Sequence, residues 1–325
     1  MGSYTLRLLI QQGYGNIIAS CRPTSSFDLV QDVKEKIQWV ETNLFDLASI
    51  SELCEDVEVI IHMAAMVTFD SSEKDLLYKT NVELTKNLVD IALEKRIARF
   101  VYISSIASLG RCHTLEIIQE NSEWEESELN TDYAVSKKFG EMEVWRGGAE
   151  GLPIIILNPS LIIGAGFWKE GTPSIFNKMK KGTKMYPSGS NGVVDVRDVT
   201  MATYLALESP IENQRIIISS ENISYKNLLT RIANALQVSP PTKEIPSFLI
   251  SIYRILDPLL ARFGLQFKGI SAQQMLSLQY PSQYTSELSK ELLGMTYRPI
   301  EETIQETANL FIESQKQGSQ FGILK

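Results

Sequence analysis

The sequence predicts an α/β fold: a doubly wound parallel sheet with a smaller C-terminal lobe. Three observations predict it. Short, β-branched apolar runs recur through the first two-thirds of the chain, continuous rather than alternating, as in parallel strands covered on both faces. Between them lie stretches with apolar residues at three- and four-residue steps, the spacing of amphipathic helices. Strand and helix alternate, which is how parallel neighbours are joined.

The elements follow in order. A helix is expected at 3–12, then strands at 16–20 (NIIAS), 37–41 (IQWVE), 57–62 (VEVIIH), 99–104 (RFVYIS) and 153–157 (PIIIL). Helices at 47–54, 73–95 and 133–149 separate them. In the 73–95 stretch, Leu77, Thr80, Leu84, Leu88 and Ile91 form one stripe along a helix. After about residue 165 the pattern loosens. Helices are expected at 173–181, 197–208, 225–236 and 300–315, with one short strand at 215–219. The expected division is a sheet-bearing unit over 1–165 and a mostly helical lobe over 166–325, some of whose segments return to the sheet.

Composition narrows the function. The chain has 325 residues, 44% hydrophobic and 22% charged, with a formal net charge of −8. It is long enough for a substantial core, and its acidic balance argues against nucleic acid as a partner. Cys21, Cys54 and Cys112 are odd in number and scattered, so no disulfide framework is expected. The only histidines are His62 and His113, and no Cys/His/carboxylate group has metal-ligand spacing, so no metal is expected. No signal peptide is read, and the expected location is the cytoplasm. The apolar segment 245–265 contains Arg254, Asp257, Pro258 and Arg262. Charges in mid-span make it an amphipathic lid or surface helix rather than a transmembrane segment.

The chemistry is expected at Ser105, Tyr133 and Lys137. Tyr133-Ala-Val-Ser-Lys137 places a phenol and an amine one helical turn apart on one face. Such a spacing arises by chance close to once in a chain with 12 tyrosines, so its context decides. The strand at 99–104 ends in Ser104-Ser105, at the sheet edge where doubly wound folds hold ligands.

A strand ending in Ser-Ser, a long loop and then Tyr-x-x-x-Lys resembles the extended short-chain dehydrogenases/reductases, whose sheet is of the Rossmann type. Four further segments are similar to that family in the same order: His62-Met-Ala-Ala65, Asn81-Val-Glu-Leu-Thr-Lys-Asn87, Asn158-Pro159-Ser160 with Gly164-Ala-Gly166, and Asp195-Val-Arg-Asp-Val199. The resemblance implies that Tyr133 is the acid/base toward the substrate oxygen. It implies that Lys137 favours the phenolate and grips the nicotinamide ribose, and that Ser105 hydrogen-bonds the reacting oxygen. It further implies cofactor contacts at Asn43, Leu44, Ala64, Ala65 and Pro159. Asn81 joins them, with a part in a proton path. His62 reads as a structural strand-end histidine. Trp124, in the acidic loop 120–128, reads either as surface or as pocket lining.

The cofactor expected is NADP, with NAD as the alternative. Arg22 follows the strand at 16–20, where a basic residue pairs with a 2′-phosphate and an acidic one would accept from the ribose hydroxyl. Its plainer reading is a surface arginine. The Asn158-Pro159 loop resembles the dihydroflavonol and cinnamoyl-CoA reductases and hydroxysteroid-dehydrogenase-like members. The implied activity is hydride transfer between NADP(H) and a small-molecule ketone, aldehyde or secondary alcohol, with a lipophilic substrate consistent with segment 245–265. Two rivals stand: a nucleotide-sugar epimerase or dehydratase with bound NAD, and a non-catalytic or truncated cofactor-binding relic. The helices at 73–95 and 133–149 offer a homodimer contact.

The sequence opens directly in a helix, where such a sheet begins with an apolar strand and a Gly-rich, phosphate-holding turn. Gly2 reads as the last glycine of that turn, with the strand either upstream of Met1 or missing from the protein. The strands at 16–20 and 57–62 are therefore expected to flank an open slot, not to pair with each other.

Overall fold

The computed structural model describes residues 1–111, 117–252 and 271–324. Cys112, His113 and the 253–265 part of the expected amphipathic segment lie outside these residues. In the described part of that segment, Phe248, Leu249 and Ile252 are exposed.

Helix α1 (Gly2–Gln11) leads into strand β1 (Ile18–Cys21), then β2 (Gln38–Glu41), α2 (Leu47–Leu53) and β3 (Val59–His62). Helix α3 (Lys74–Tyr78) runs through a π-helical turn at Lys79–Glu83 into α4 (Leu84–Glu94), so the expected single helix is one element with a bulge in it. Strand β4 (Arg99–Ile103), a 3₁₀ turn at Ile106–Leu109, the short β5 (Ile117–Ile118), helix α5 (Asp132–Ala149) and β6 (Ile154–Pro159) follow.

The main sheet is parallel, in the order β10-β6-β4-β3, where β10 is Gln214–Ile218 from the second half of the chain. Both central strands, β4 and β6, are buried along their whole length. Side chains alternate between the two faces. Phe100, Tyr102, Ile154 and Ile156 pack under α4 and α5 with Leu88, Val89 and Val144. Val101, Ile103, Ile155 and Leu157 face the other way, toward Val199, Ala202 and Ala206 of α7 (Val196–Glu208). Helices thus cover both faces, the reason these strands read as unbroken apolar runs.

Strands β1 and β2 pair with each other in parallel and form a separate two-stranded piece. β1 does not pair with β3, as expected from the sequence. A satellite cluster of Val30, Val33 and Ile37 packs Leu6 and Ile10 of α1 against Ala19 and Trp39 of these strands.

The second half holds more strand than expected. β7 (Leu161–Ile163), β9 (Ser190–Asp195) and β11 (Glu221–Ser224) form a three-stranded sheet of their own. Its signal is weak in sequence because β9 begins Ser-Asn-Gly, residues that favour turns. Short pairings join β8 (Met185–Tyr186) to β12 (Lys243–Glu244) and β5 to β13 (Gln283–Tyr284). Helices α6 (Ser174–Lys180), α8 (Tyr225–Ala235) and the helix Ile300–Gln317 bury Phe176, Leu228, Ile232, Ile304 and Phe311 in a second core with Trp168. Tyr4 ties the two ends of the chain together: its hydroxyl donates to Ala165 O (3.0 Å) and accepts from Leu324 N (2.9 Å). Among the described residues no helix is long and apolar enough to cross a membrane.

Candidate active site

Ser105 follows the carboxyl end of β4 and caps the 3₁₀ turn, its hydroxyl accepting from Ala107 N at 3.1 Å. Its carbonyl is held from behind by Asn158 Nδ2 (3.0 Å) and Ser108 Oγ (2.8 Å). Tyr133 stands in the first turn of α5, which Thr131 caps by accepting from Ala134 N. A capped N-terminus fixes where that first turn begins, and so where the phenol points. The phenol is half-buried and lies within hydrogen-bonding reach of the Ser105 side chain. Burial raises its pKa above the ordinary value, and Ser105 pulls it part of the way back. The structure therefore brings Ser105 and Tyr133 together.

Lys137, one turn on, is 1% exposed. Its Nζ donates to Tyr102 Oη and to Ile103 O, both at 3.0 Å, and sits 4.5 Å from the centre of the Tyr102 ring. Burial lowers its pKa from 10.5 to about 7, with the Glu141 charge opposing that fall. The expectation set this amine beside the Tyr133 phenol and the nicotinamide ribose; here its hydrogen bonds go to β4. The ammonium bonds to the phenol of Tyr102 on β4, and the groups acting on the Tyr133 phenol are burial and Ser105.

Asn81, expected at a proton path, bonds the backbone of Met66 and the Ser136 hydroxyl. It is 1% exposed, and its amide accepts from Met66 N (2.7 Å) and donates to Met66 O (2.9 Å) and Ser136 Oγ (3.0 Å). It therefore clamps the loop after β3 to α5. Its own segment is the π-helical turn, a distortion frequent at functional sites. Gly140 permits the close approach: a Cβ there would lie 2.3 Å from Asn81 O and 2.8 Å from Tyr102 Oη. His62 is buried, bonded to Thr85 Oγ1 at 3.0 Å, and held neutral, its pKa lowered to about 3 by burial and the Lys137 charge.

Tyr133 opens into a cleft of about 400 Å³. Phe69, Leu77, Thr131, Gln273 and Leu276 line it, and the Phe69 ring stands edge-on to Tyr133 at 6.0 Å. Asp70, Glu128 and Asp132 add carboxylates to its wall, Asp132 paired with Lys74 at 2.7 Å. Trp124 is not part of this wall. It packs on Gly110 and under Lys138, beside a cavity of about 110 Å³ on another side of α5.

The expected cofactor residues lie near the carboxyl ends of their strands. Arg22 is exposed just past β1 and forms no ion pair with a described residue. Asn43 shapes the turn past β2 by accepting from Phe45 N at 3.1 Å, while Leu44 packs on the core. Ala64, half-buried, and Ala65, exposed, follow β3, and Pro159, buried, ends β6. The donor set fits a dinucleotide: an unpaired guanidinium suits a phosphate, and two alanines let a flat ring system approach the backbone. Sequence reasoning missed Tyr102, Ser136, Gly140 and Glu141, all buried polar or small residues facing this site.

A family model described as the NAD dependent epimerase/dehydratase family matches residues 1–218. A provisional dihydroflavonol 4-reductase of Synechocystis sp. is 26% identical over 96% of this chain and 91% of its own length. Cinnamoyl-CoA reductase 2 of Arabidopsis thaliana is 24% identical over 83% of this chain and 86% of its own. The crystal structure of a dTDP-glucose 4,6-dehydratase from Streptomyces venezuelae, with NAD bound, superposes with a TM-score of 0.78 at 16% identity, covering 97% of this chain and 95% of that one.

Proposed function

This chain belongs to the NAD dependent epimerase/dehydratase family, and from that premise we propose that it is an NADP(H)-dependent oxidoreductase reducing a ketone or aldehyde, or oxidising a secondary alcohol. The single observation that supports this most is the meeting of the Ser105 hydroxyl and the Tyr133 phenol past the end of β4, with the phenol at the wall of a cleft.

When bound, the nicotinamide cofactor supplies or accepts the hydride. The chain's own residues do the rest. In reduction, the Tyr133 phenol gives its proton to the substrate oxygen as negative charge develops there. The phenol is protonated at neutral pH; burial makes it hold that proton more tightly, and the Ser105 hydrogen bond opposes this and favours its release. The Ser105 hydroxyl hydrogen-bonds the same oxygen and stabilises its charge. Lys137 lies beneath the site with its amine fixed on β4 and would grip the nicotinamide ribose. Arg22 would hold the 2′-phosphate, Asn43 and Leu44 the adenine end, and Ala64, Ala65, Asn81 and Pro159 the floor along the sheet edge.

The cleft supports a neutral carbonyl substrate. Its described lining includes Asp70, Glu128 and Asp132, the last paired with Lys74, and no Lys or Arg, so it offers no cation of its own to a nucleoside diphosphate. The apolar Phe69, Leu77 and Leu276 suit a lipophilic carbonyl. The test is NADPH oxidation against a panel of ketones and aldehydes. Tyr133→Phe is expected to lower the rate by at least about 100-fold, the scale of general acid catalysis. Full activity in that variant would remove the acid/base role.

A further inference from the structure

Glu141 lies on α5 one turn past Lys137, is 1% exposed, and has no part in the chemistry described above. Its Oε2 gathers three donors: Ser104 Oγ at 2.7 Å, Ser108 Oγ at 2.7 Å and Asn158 Nδ2 at 2.9 Å. Its Oε1 pairs with Arg215 Nε of β10 at 2.5 Å. Two of those donors also touch the Ser105 carbonyl, Asn158 Nδ2 at 3.0 Å and Ser108 Oγ at 2.8 Å. Asn158 Nδ2 also reaches Ser108 Oγ at 2.8 Å, which closes the ring. One carboxylate oxygen therefore organises the side chains that hold the turn presenting Ser105.

We propose that Glu141 is a positioning residue for the oxidoreduction, fixing the Ser105 turn through Ser108 and Asn158 and placing a buried carboxylate one turn from the Lys137 amine. The inference rests on the proposed reaction for its catalytic meaning, and on the burial of both side chains one turn apart on α5, where the Glu141 charge acts on Lys137, for the coupling between them.

A buried carboxylate that only filled space would be replaceable by an apolar residue without loss. Glu141 is placed otherwise, because its charge acts on Lys137 from one turn away on α5. The other groups placed around that amine are Tyr102 and the Ile103 carbonyl on β4 and neutral His62 on β3. Arg215 sets how much of the Glu141 charge is left to act. It is itself tied down, its guanidinium donating to Glu120 O at 3.0 Å. Removing the carboxylate charge weakens the hold on the ammonium, and removing Arg215 strengthens it. The two changes act on Lys137 in opposite directions, which a general loosening of the fold would not do.

The experiment follows the Lys137 side chain by NMR in the full chain labelled with ¹³C-lysine, the resonance assigned by its loss in Lys137→Met. Glu141→Gln is expected to lower the Lys137 titration midpoint by about one pH unit and Arg215→Gln to raise it by a similar amount. In NADPH-dependent carbonyl reduction, the alkaline limb of kcat should move the same way in each variant. In Glu141→Gln, kcat should fall about tenfold or more while the KM for NADPH changes little. Unmoved midpoints in both variants overturn the proposal. So do moved midpoints with an unchanged kcat profile, since Glu141 would then not serve the reaction. If wild-type protein reduces no carbonyl in the panel, the proposed function fails, and the NMR midpoints alone decide the coupling.

Discussion

Replacing Lys137 with methionine should stabilise the protein at low pH, and the gain should shrink as pH rises. The amine is 1% exposed, and burial lowers its pKa from 10.5 to about 7. Between those values the unfolded chain keeps a proton at this position that the folded chain has released. Wild-type stability therefore rises with pH across that window, by about 1.4 kcal/mol per pH unit. The gap of about 3.5 pH units corresponds to about 5 kcal/mol in all. Below pH 7 both states are charged and the folded state bears the whole desolvation cost. Above 10.5 neither is charged and the cost is gone. Methionine, of similar length and uncharged, never bears it. Losing the contacts with Tyr102 Oη and Ile103 O adds an offset that does not depend on pH. The measured quantity is thus the stability of Lys137→Met minus that of wild type, from urea unfolding at pH 6, 7, 8 and 9. It should fall by only about 0.4 kcal/mol from 6 to 7 and by about 2.3 kcal/mol from 7 to 9. A flat difference over the whole range would mean that the amine is not held in a desolvated place, and the structural reading of the site would be wrong.

Two other outcomes are expected. Gly140→Ala should destabilise the fold by about 1–3 kcal/mol, read as a lower Tm by circular dichroism. The new methyl would lie 2.3 Å from a backbone oxygen that cannot rotate away, and an unchanged Tm would show that α5 does not pack so closely on the Asn81 turn. Arg22→Ala should raise the KM for NADPH about tenfold or more and leave that for NADH nearly unchanged, the loss of one charged contact to the 2′-phosphate. Equal effects on both cofactors would remove Arg22 as the selector.

How far the sequence could be read depends on whether a feature is local. The strands β4 and β6 are legible because full burial on both faces forces continuous apolar runs, Phe100–Ile103 and Ile154–Leu157. Tyr133 was legible because its neighbours set it at a helix start. The Lys79–Glu83 π-helical turn was not legible. Its stretch keeps the 3.6-residue stripe, and nothing in the run itself marks the bulge; its Asn81 carbonyl faces Gly140, 59 positions away. Glu141 illustrates the same limit. A Lys and a Glu four apart on a helix read as an exposed pair, and only the docking of α5 on the sheet puts both inside. The one local clue was that Tyr133, Lys137, Gly140 and Glu141 share a helix face. A face carrying a tyrosine, a lysine, a glycine and a glutamate in steps of three and four is either solvent or a site, and the glycine favours close packing over solvent.

That clue also explains why a short motif can carry so much chemistry here and so little elsewhere. Tyr-x-x-x-Lys supplies two side chains on one helix face and nothing about what they meet. What they meet is set by the depth at which the helix docks. Gly140 lets α5 come within contact of the Asn81 turn, and Asn81 in turn bonds Met66 and Ser136, so the loop after β3, the π-helical turn and α5 are tied together. At that depth the Lys137 amine reaches the β4 carbonyl edge, while the Tyr133 phenol, one turn nearer the helix start, stays at the cleft wall beside Ser105. The same four-residue step on a helix held a few ångströms farther out would leave both side chains in water, where a lysine stays fully charged and a phenol gains nothing from a serine. The acid/base function proposed for Tyr133 is therefore a property of the packing distance between α5 and the sheet, and a glycine that no reaction scheme contains sets that distance.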